Sequence, residues 1–152
     1  MNDALKANLK RLERLVRIRQ TNASVAEVGV KQAESEVRRL EDADSTAAGN
    51  IQDTQAGIAY LQTTTGQDIQ RRERYIHALE RQRQLIRQSL ETATSTLTQR
   101  RSEWTEAMRD ERIAEKLQER RLHQWQREND TAQQKLQDDA SIARYVRTRS
   151  EQ

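Results

Sequence analysis

The sequence predicts an all-α fold, a long antiparallel two-helix coiled-coil hairpin, and three observations predict it. Apolar residues make up 34% of the 152 residues and charged residues another 34%. Such a chain fills a narrow seam between helices and not a globular interior. Proline is absent and there are only four glycines, so few positions force a helix to stop. The apolar residues recur at alternating spacings of three and four, the repeat that lines one helix face. Composition alone would also fit disorder, and it is the order of the residues that decides for helix.

The first arm is expected over 1–62. From Leu5 the stripe passes through Leu9, Leu12, Val16, Arg19, Ala23, Ala26, Val30, Ala33, Val37, Leu40, Asp44, Ala47, Ile51, Thr54, Ile58 and Leu61 without slipping phase. Arg19, Asp44 and Thr54 are its polar exceptions. Residues 45–50 contain Ala-Ala-Gly-Asn and allow a break near Gly49, with a short helix resuming to Leu61; Gly57 is a further weak point.

The turn is expected over 63–67. Thr63-Thr64-Thr65-Gly66 combines three β-branched residues and a glycine, the poorest helix-forming run in the chain. Thr65 is placed to cap the next helix and Gly66 to take a positive φ.

The second arm is expected over 68–149. Its stripe reads Ile69, Arg72, Ile76, Leu79, Arg83, Ile86, Leu90, Ala93, Leu97, Arg100, Trp104, Ala107, Glu111 and Ala114. Beyond Ala114 the pattern loosens. Trp125, Ala132, Ile142 and Val146 keep the phase, whereas Leu117, Leu122 and Leu136 fall beside it. The whole of 1–152 reads as a single coiled-coil domain.

A parallel dimer competes with the hairpin, and layer chemistry argues against it. In register, Arg19, Asp44, Arg83 and Arg100 would each face themselves, and like charges held together are costly. Folding the chain at the bend, with Leu61 opposite Ile69, brings Arg19 to Glu111 and Trp104 to Ala26. It also pairs Leu40 with Leu90, Ala33 with Leu97 and Ile51 with Leu79, and sets Asp44 one layer from Arg83.

Several function classes lose support. With no cysteine, neither disulfides nor thiolate metal sites can form. No apolar run is long enough to cross a bilayer, so a cytoplasmic location is expected. His77 and His123 stand far apart with no other histidine nearby, and no Gly-rich phosphate loop occurs, so no metal, cofactor or enzymatic activity is expected. The net charge is +3 with the signs interspersed. Paired arginines at 38–39, 71–72, 100–101 and 120–121 lie among acids without aromatic stacking platforms, so no nucleic-acid partner is expected. Tyr75 lies just off the stripe, one turn from Leu79, where it is either a partner anchor or a cover for the preceding helix. Arg144, Arg147 and Arg149 make a basic end that also suits the helix dipole.

Tyr75-Ile76-His77-Ala78-Leu79-Glu80, then Trp104, then Leu117-Gln118-Glu119-Arg120 resemble the FliJ family of flagellar type III export proteins, which includes the YscO-type proteins of injectisomes. The resemblance covers residues 69–125 well; the first arm matches only in pattern. It implies a non-enzymatic central stalk of a flagellar or injectisome export apparatus. Such a stalk enters and stimulates a hexameric export ATPase, contacts the membrane export gate and escorts export chaperones. It implies a cytoplasmic protein peripheral to the inner membrane, with the gate contact at Tyr75 and Leu79. With that role in view, Arg14, Arg17, Arg120, Arg121, Arg144 and Arg147 become the expected ring contacts, through many weak charged interactions. The alternative is a generic coiled-coil tether or adaptor, as a hairpin or a parallel dimer.

Overall fold

The computed structural model describes residues 2–60 and 65–150. It contains α1 (Asn2–Tyr60) and α2 (Gly66–Ser150). The two helices pack against each other as an antiparallel hairpin, and no strand occurs among the described residues. Thr63, Thr64 and the Leu61 side of the expected Leu61–Ile69 pair lie outside the described residues.

The break allowed at 45–50 does not form, because α1 is continuous through Gly49. Ala47 and Ile51 on either side of this glycine are both buried. Their packing outweighs the roughly 1 kcal/mol by which glycine disfavours a helix interior. At the start of α2, Thr65 stands at the expected N-cap position, although its hydroxyl bonds a side chain and not a backbone N–H. Its carbonyl accepts from the Asp68 and Ile69 amides at 3.0 and 3.3 Å, and its hydroxyl donates to the Asp68 carboxylate at 2.9 Å. Gly66 does not take the positive φ expected of it. It is already the first helical residue of α2, where ordinary helical φ is required.

The chain divides into two compact units, Ser24–Thr105 and Met1–Ala23 with Glu106–Gln152. In the unit Ser24–Thr105, Asp44 meets Arg83 and Glu34 meets Arg101, so lower numbers on α1 face higher numbers on α2. Val30, Leu40, Ala47, Ile51, Ile76, Leu79 and Leu97 are buried in its seam. Ile51, Ile76 and Leu79 form one cluster, with Ile58 packed against it. Ala26, Leu90 and Trp104 are half-buried. Two arginines of the α2 stripe pass beside glycines of α1, and only at Gly57 would an added Cβ come closer than ordinary contact, to the flexible tip of Arg72. A Cβ on Gly57 would lie 2.8 Å from Arg72 Nη1, and one on Gly29 would lie 3.6 Å from Arg100 Cδ. The expected weak point at Gly57 is thus a place where a long cationic side chain crosses the opposing helix.

Within α2 the run Thr92-Ala93-Thr94-Ser95-Thr96-Leu97-Thr98 is rich in poor helix formers. Thr92, Thr94, Thr96 and Thr98 each donate to the carbonyl four residues back, at 2.8–3.2 Å, so their hydroxyls are satisfied inside the helix.

In the unit Met1–Ala23 with Glu106–Gln152, Val16, Ala23 and Ala114 are buried and Leu5, Leu9, Leu12, Ala107 and Trp125 are half-buried. From Thr131 to Ser150 every residue is exposed.

Candidate interaction site

Each polar interruption of the α1 stripe has a partner. Asp44 accepts from Arg83 through two bonds, Nε at 2.8 Å and Nη2 at 3.1 Å. This fork holds the Asp44 carboxyl below its ordinary value, against the opposing pull of partial burial and with further help from Arg83 and Arg87 charge. Thr54 donates to the Asn50 carbonyl at 2.7 Å. Arg19 meets Asp110 at 3.5 Å, and this corrects the expected pairing with Glu111. A guanidinium at the seam edge reaches the flanking, hydrated acid more easily than one directly across, and Glu111 itself stays half-buried.

These contacts occupy the seam, so the surfaces left for function are the outer faces of the helices. Shallow grooves lie on faces of α2, such as that lined by Arg74, His77, Glu80, Arg81 and Gln84. Among the described residues no group of three or more His, Asp and Glu side chains converges as a metal cluster would. His77 contacts Glu80 at 3.2 Å through Nδ1, and both side chains are exposed.

Tyr75 is 50% exposed, whereas Leu79, its expected companion, is 7% exposed inside the Ile51–Ile76 cluster. The two residues are one helical turn apart, yet only the tyrosine is open to solvent. Arg14, Arg17, Arg120, Arg121, Arg144 and Arg147 are all exposed. Arg17 pairs with Glu13 at 3.1 Å and Arg121 donates to Gln124 at 2.9 Å. Arg147 and Arg149 lie in the last turn of α2, where positive charge complements the carbonyl end of the helix.

Sequence reasoning did not anticipate two features of the unit that holds Glu106–Gln152. Ile113 and Leu117 project away from the seam beside Lys116 and Arg120. Their departure from the seam phase was the available signal. The Trp125 indole N–H is buried without an acceptor, and no sequence pattern reports such an orphan.

Two long helices packed against each other, with charged outer faces, define the class as a helical coiled-coil protein. Its membership is specific. The profile of the flagellar FliJ protein family matches residues 8–150, nearly the whole chain, and the chain belongs to that family. It is accordingly a component of the flagellar protein-export apparatus. No curated sequence and no solved structure matches it. No described helix is long and apolar enough to cross a membrane.

Proposed function

We propose that the chain is the central stalk of the export apparatus. In this reading it inserts into the hexameric export ATPase and stimulates it, links it to the membrane export gate and receives export chaperones. The observation that carries this reading is the end of α2. Residues 131–150 are exposed on every side, yet they include Leu136, Ile142, Tyr145 and Val146, each more than half exposed. A lone helix of that length is marginal in water, and those side chains gain burial only from another molecule. Arg144 and Arg147 stand among them, so a ring with acidic loops and apolar patches complements this end. Arg14, Arg17, Arg120 and Arg121 extend the same cationic character within that unit.

Tyr75 serves as the gate anchor, and buried Leu79 holds that stretch of helix in place beneath it. The protein sits on the cytoplasmic side at the inner membrane through these contacts, without a spanning segment of its own. The test is stimulation of ATP hydrolysis by the purified export ATPase. Replacing Arg14, Arg17, Arg120, Arg121, Arg144 and Arg147 together by glutamate should reduce stimulation at least tenfold while the helical content stays unchanged. Full stimulation by that variant would overturn the ring assignment.

A further inference from the structure

Ile113 and Leu117 lie one turn apart on α2 and remain 59% and 41% exposed. Helical spacing sets Arg109, Lys116, Arg120 and Arg127 along one edge of the same strip. All four cations are exposed, and among the described residues none takes part in an ion pair. A shallow groove lined by Ile113, Lys116, Leu117 and Arg120 continues through Arg120 into a second groove that reaches Arg127. On the opposite edge stands Asp110, whose charge is engaged by Arg19. The result is a short apolar centre with a predominantly cationic edge whose four cations form no ion pair, Asp130 being the acid that lines the second groove.

We propose that this strip docks an acidic amphipathic helix of a partner protein. Its leucine-type face would cover Ile113 and Leu117, and its carboxylates would meet Arg109, Lys116, Arg120 and Arg127. Helix-in-groove recognition needs apolar anchors at such a one-turn spacing, and the rim selects for acid. A membrane surface fits less well, because an interfacial helix presents a wide apolar face and this one presents two side chains with Glu106 and Glu119 close by. Nucleic acid fits less well because no aromatic platform accompanies the cations. The proposal goes beyond the stalk reading and shares only Arg120 with it.

The test uses the full chain and a fluorescein-labelled synthetic helix of about 20 residues, long enough to cover the strip. The probe carries leucines three and four apart, flanked by glutamates. Fluorescence anisotropy should show saturable binding that weakens as salt is raised. Leu117→Ser or Ile113→Ser should each weaken it about tenfold. The triple reversal Arg109→Glu, Lys116→Glu, Arg127→Glu should abolish it. Should a serine variant lose helical content, the triple reversal carries the test, since it alters exposed positions only. No saturable binding, equal binding of a glutamine-for-glutamate probe, or indifference to these substitutions would overturn the proposal. So would tighter binding of phosphatidylglycerol vesicles or polyuridylate. The triple-reversal variant leaves Arg14, Arg17, Arg120, Arg121, Arg144 and Arg147 in place, so ATPase stimulation measured in parallel separates this proposal from the stalk reading.

Discussion

Replacing Leu79 by alanine separates holding the hairpin together from contacting a partner. Leu79 is 7% exposed and packs with Ile51 and Ile76. The substitution removes about three methylene equivalents, and at ~0.8 kcal/mol each that is ~2.4 kcal/mol of lost transfer energy. A two-helix seam is open to water along both sides, so neighbouring side chains and solvent relax into the space and the cavity contribution is small. The expected cost is therefore about 2–3 kcal/mol, near the lower end of the range for Leu→Ala in closed cores. Leu85→Ala is the internal control. Leu85 is 64% exposed on the same helix, and its truncation should cost less than ~0.5 kcal/mol. Urea unfolding followed by far-ultraviolet circular dichroism gives both values, with an unchanged slope required for the comparison. Equal losses for the two variants would refute the placement of Leu79 in the seam. Tyr75→Ala completes the comparison, because it should leave the unfolding midpoint nearly unchanged while weakening binding to the export gate. A gate defect in Leu79→Ala should recede on cooling or with a stabilising osmolyte, and one in Tyr75→Ala should persist.

Cysteines introduced together at Glu34 and Arg101, whose side-chain tips meet at 3.1 Å, should be bridged within one chain by a bis-maleimide reagent at high dilution, and purely intermolecular products would contradict the hairpin. Asp44→Asn should lower stability at about pH 7, and the difference from wild type should shrink at a pH below the ordinary carboxylate range. The folded Asp44 carboxyl sits below its ordinary value because of Arg83, so its contribution is complete above the ordinary carboxylate range and disappears as pH falls through the folded value; melts at both pH values read this directly. Ala114→Leu enlarges a buried seam position that is 3% exposed and should cost ~1–3 kcal/mol by overpacking, read by the same urea titration. Deleting residues 132–152 should leave the melting temperature within experimental scatter, because the structure buries none of the removed side chains that it describes, and should cut ATPase stimulation.

The seam was legible because burial in a coiled coil follows period and little else. Every described stripe position from Leu5 to Ile58 is buried or half-buried, the polar exceptions included. The neighbourhood of Asp44 and Arg83 was legible too, since opposite charges one layer apart reach each other across an antiparallel pair. Continuity through Gly49 was not legible, because local propensity carries no record of the packing at Ala47 and Ile51 that overrides it. The partner of Arg19 was missed for a geometric reason: a register names the residue directly across, whereas a long side chain ends beside it. The candidate surfaces were legible by halves. Spacing placed Tyr75 off the stripe and Leu79 in it, opposite Ile51, where the fold encloses it; it was the family resemblance that offered Leu79 as a contact.

Phase relative to the seam sorts the apolar residues of this chain into two kinds. Those in phase as far as Ala114, such as Val16, Leu40, Ile76 and Leu97, are buried or half-buried by the other helix and stabilise the fold, Ile69 near the start of α2 being the exception. Those out of phase, such as Tyr75, Ile113, Leu117 and Leu136, stay exposed although burying them would be favourable. In a protein with so small an apolar fraction, leaving these side chains in water gains nothing within the monomer, and polar residues there would keep the helix equally well. Past Ala114 the rule changes, because Ile142 and Val146 keep the phase and remain exposed where no segment of α1 covers them. The end of α2 therefore continues the pattern of a seam without the helix that would close it. That seam-like spacing, left uncovered by α1, is the ground for the proposal that the end of α2 completes its packing on another molecule.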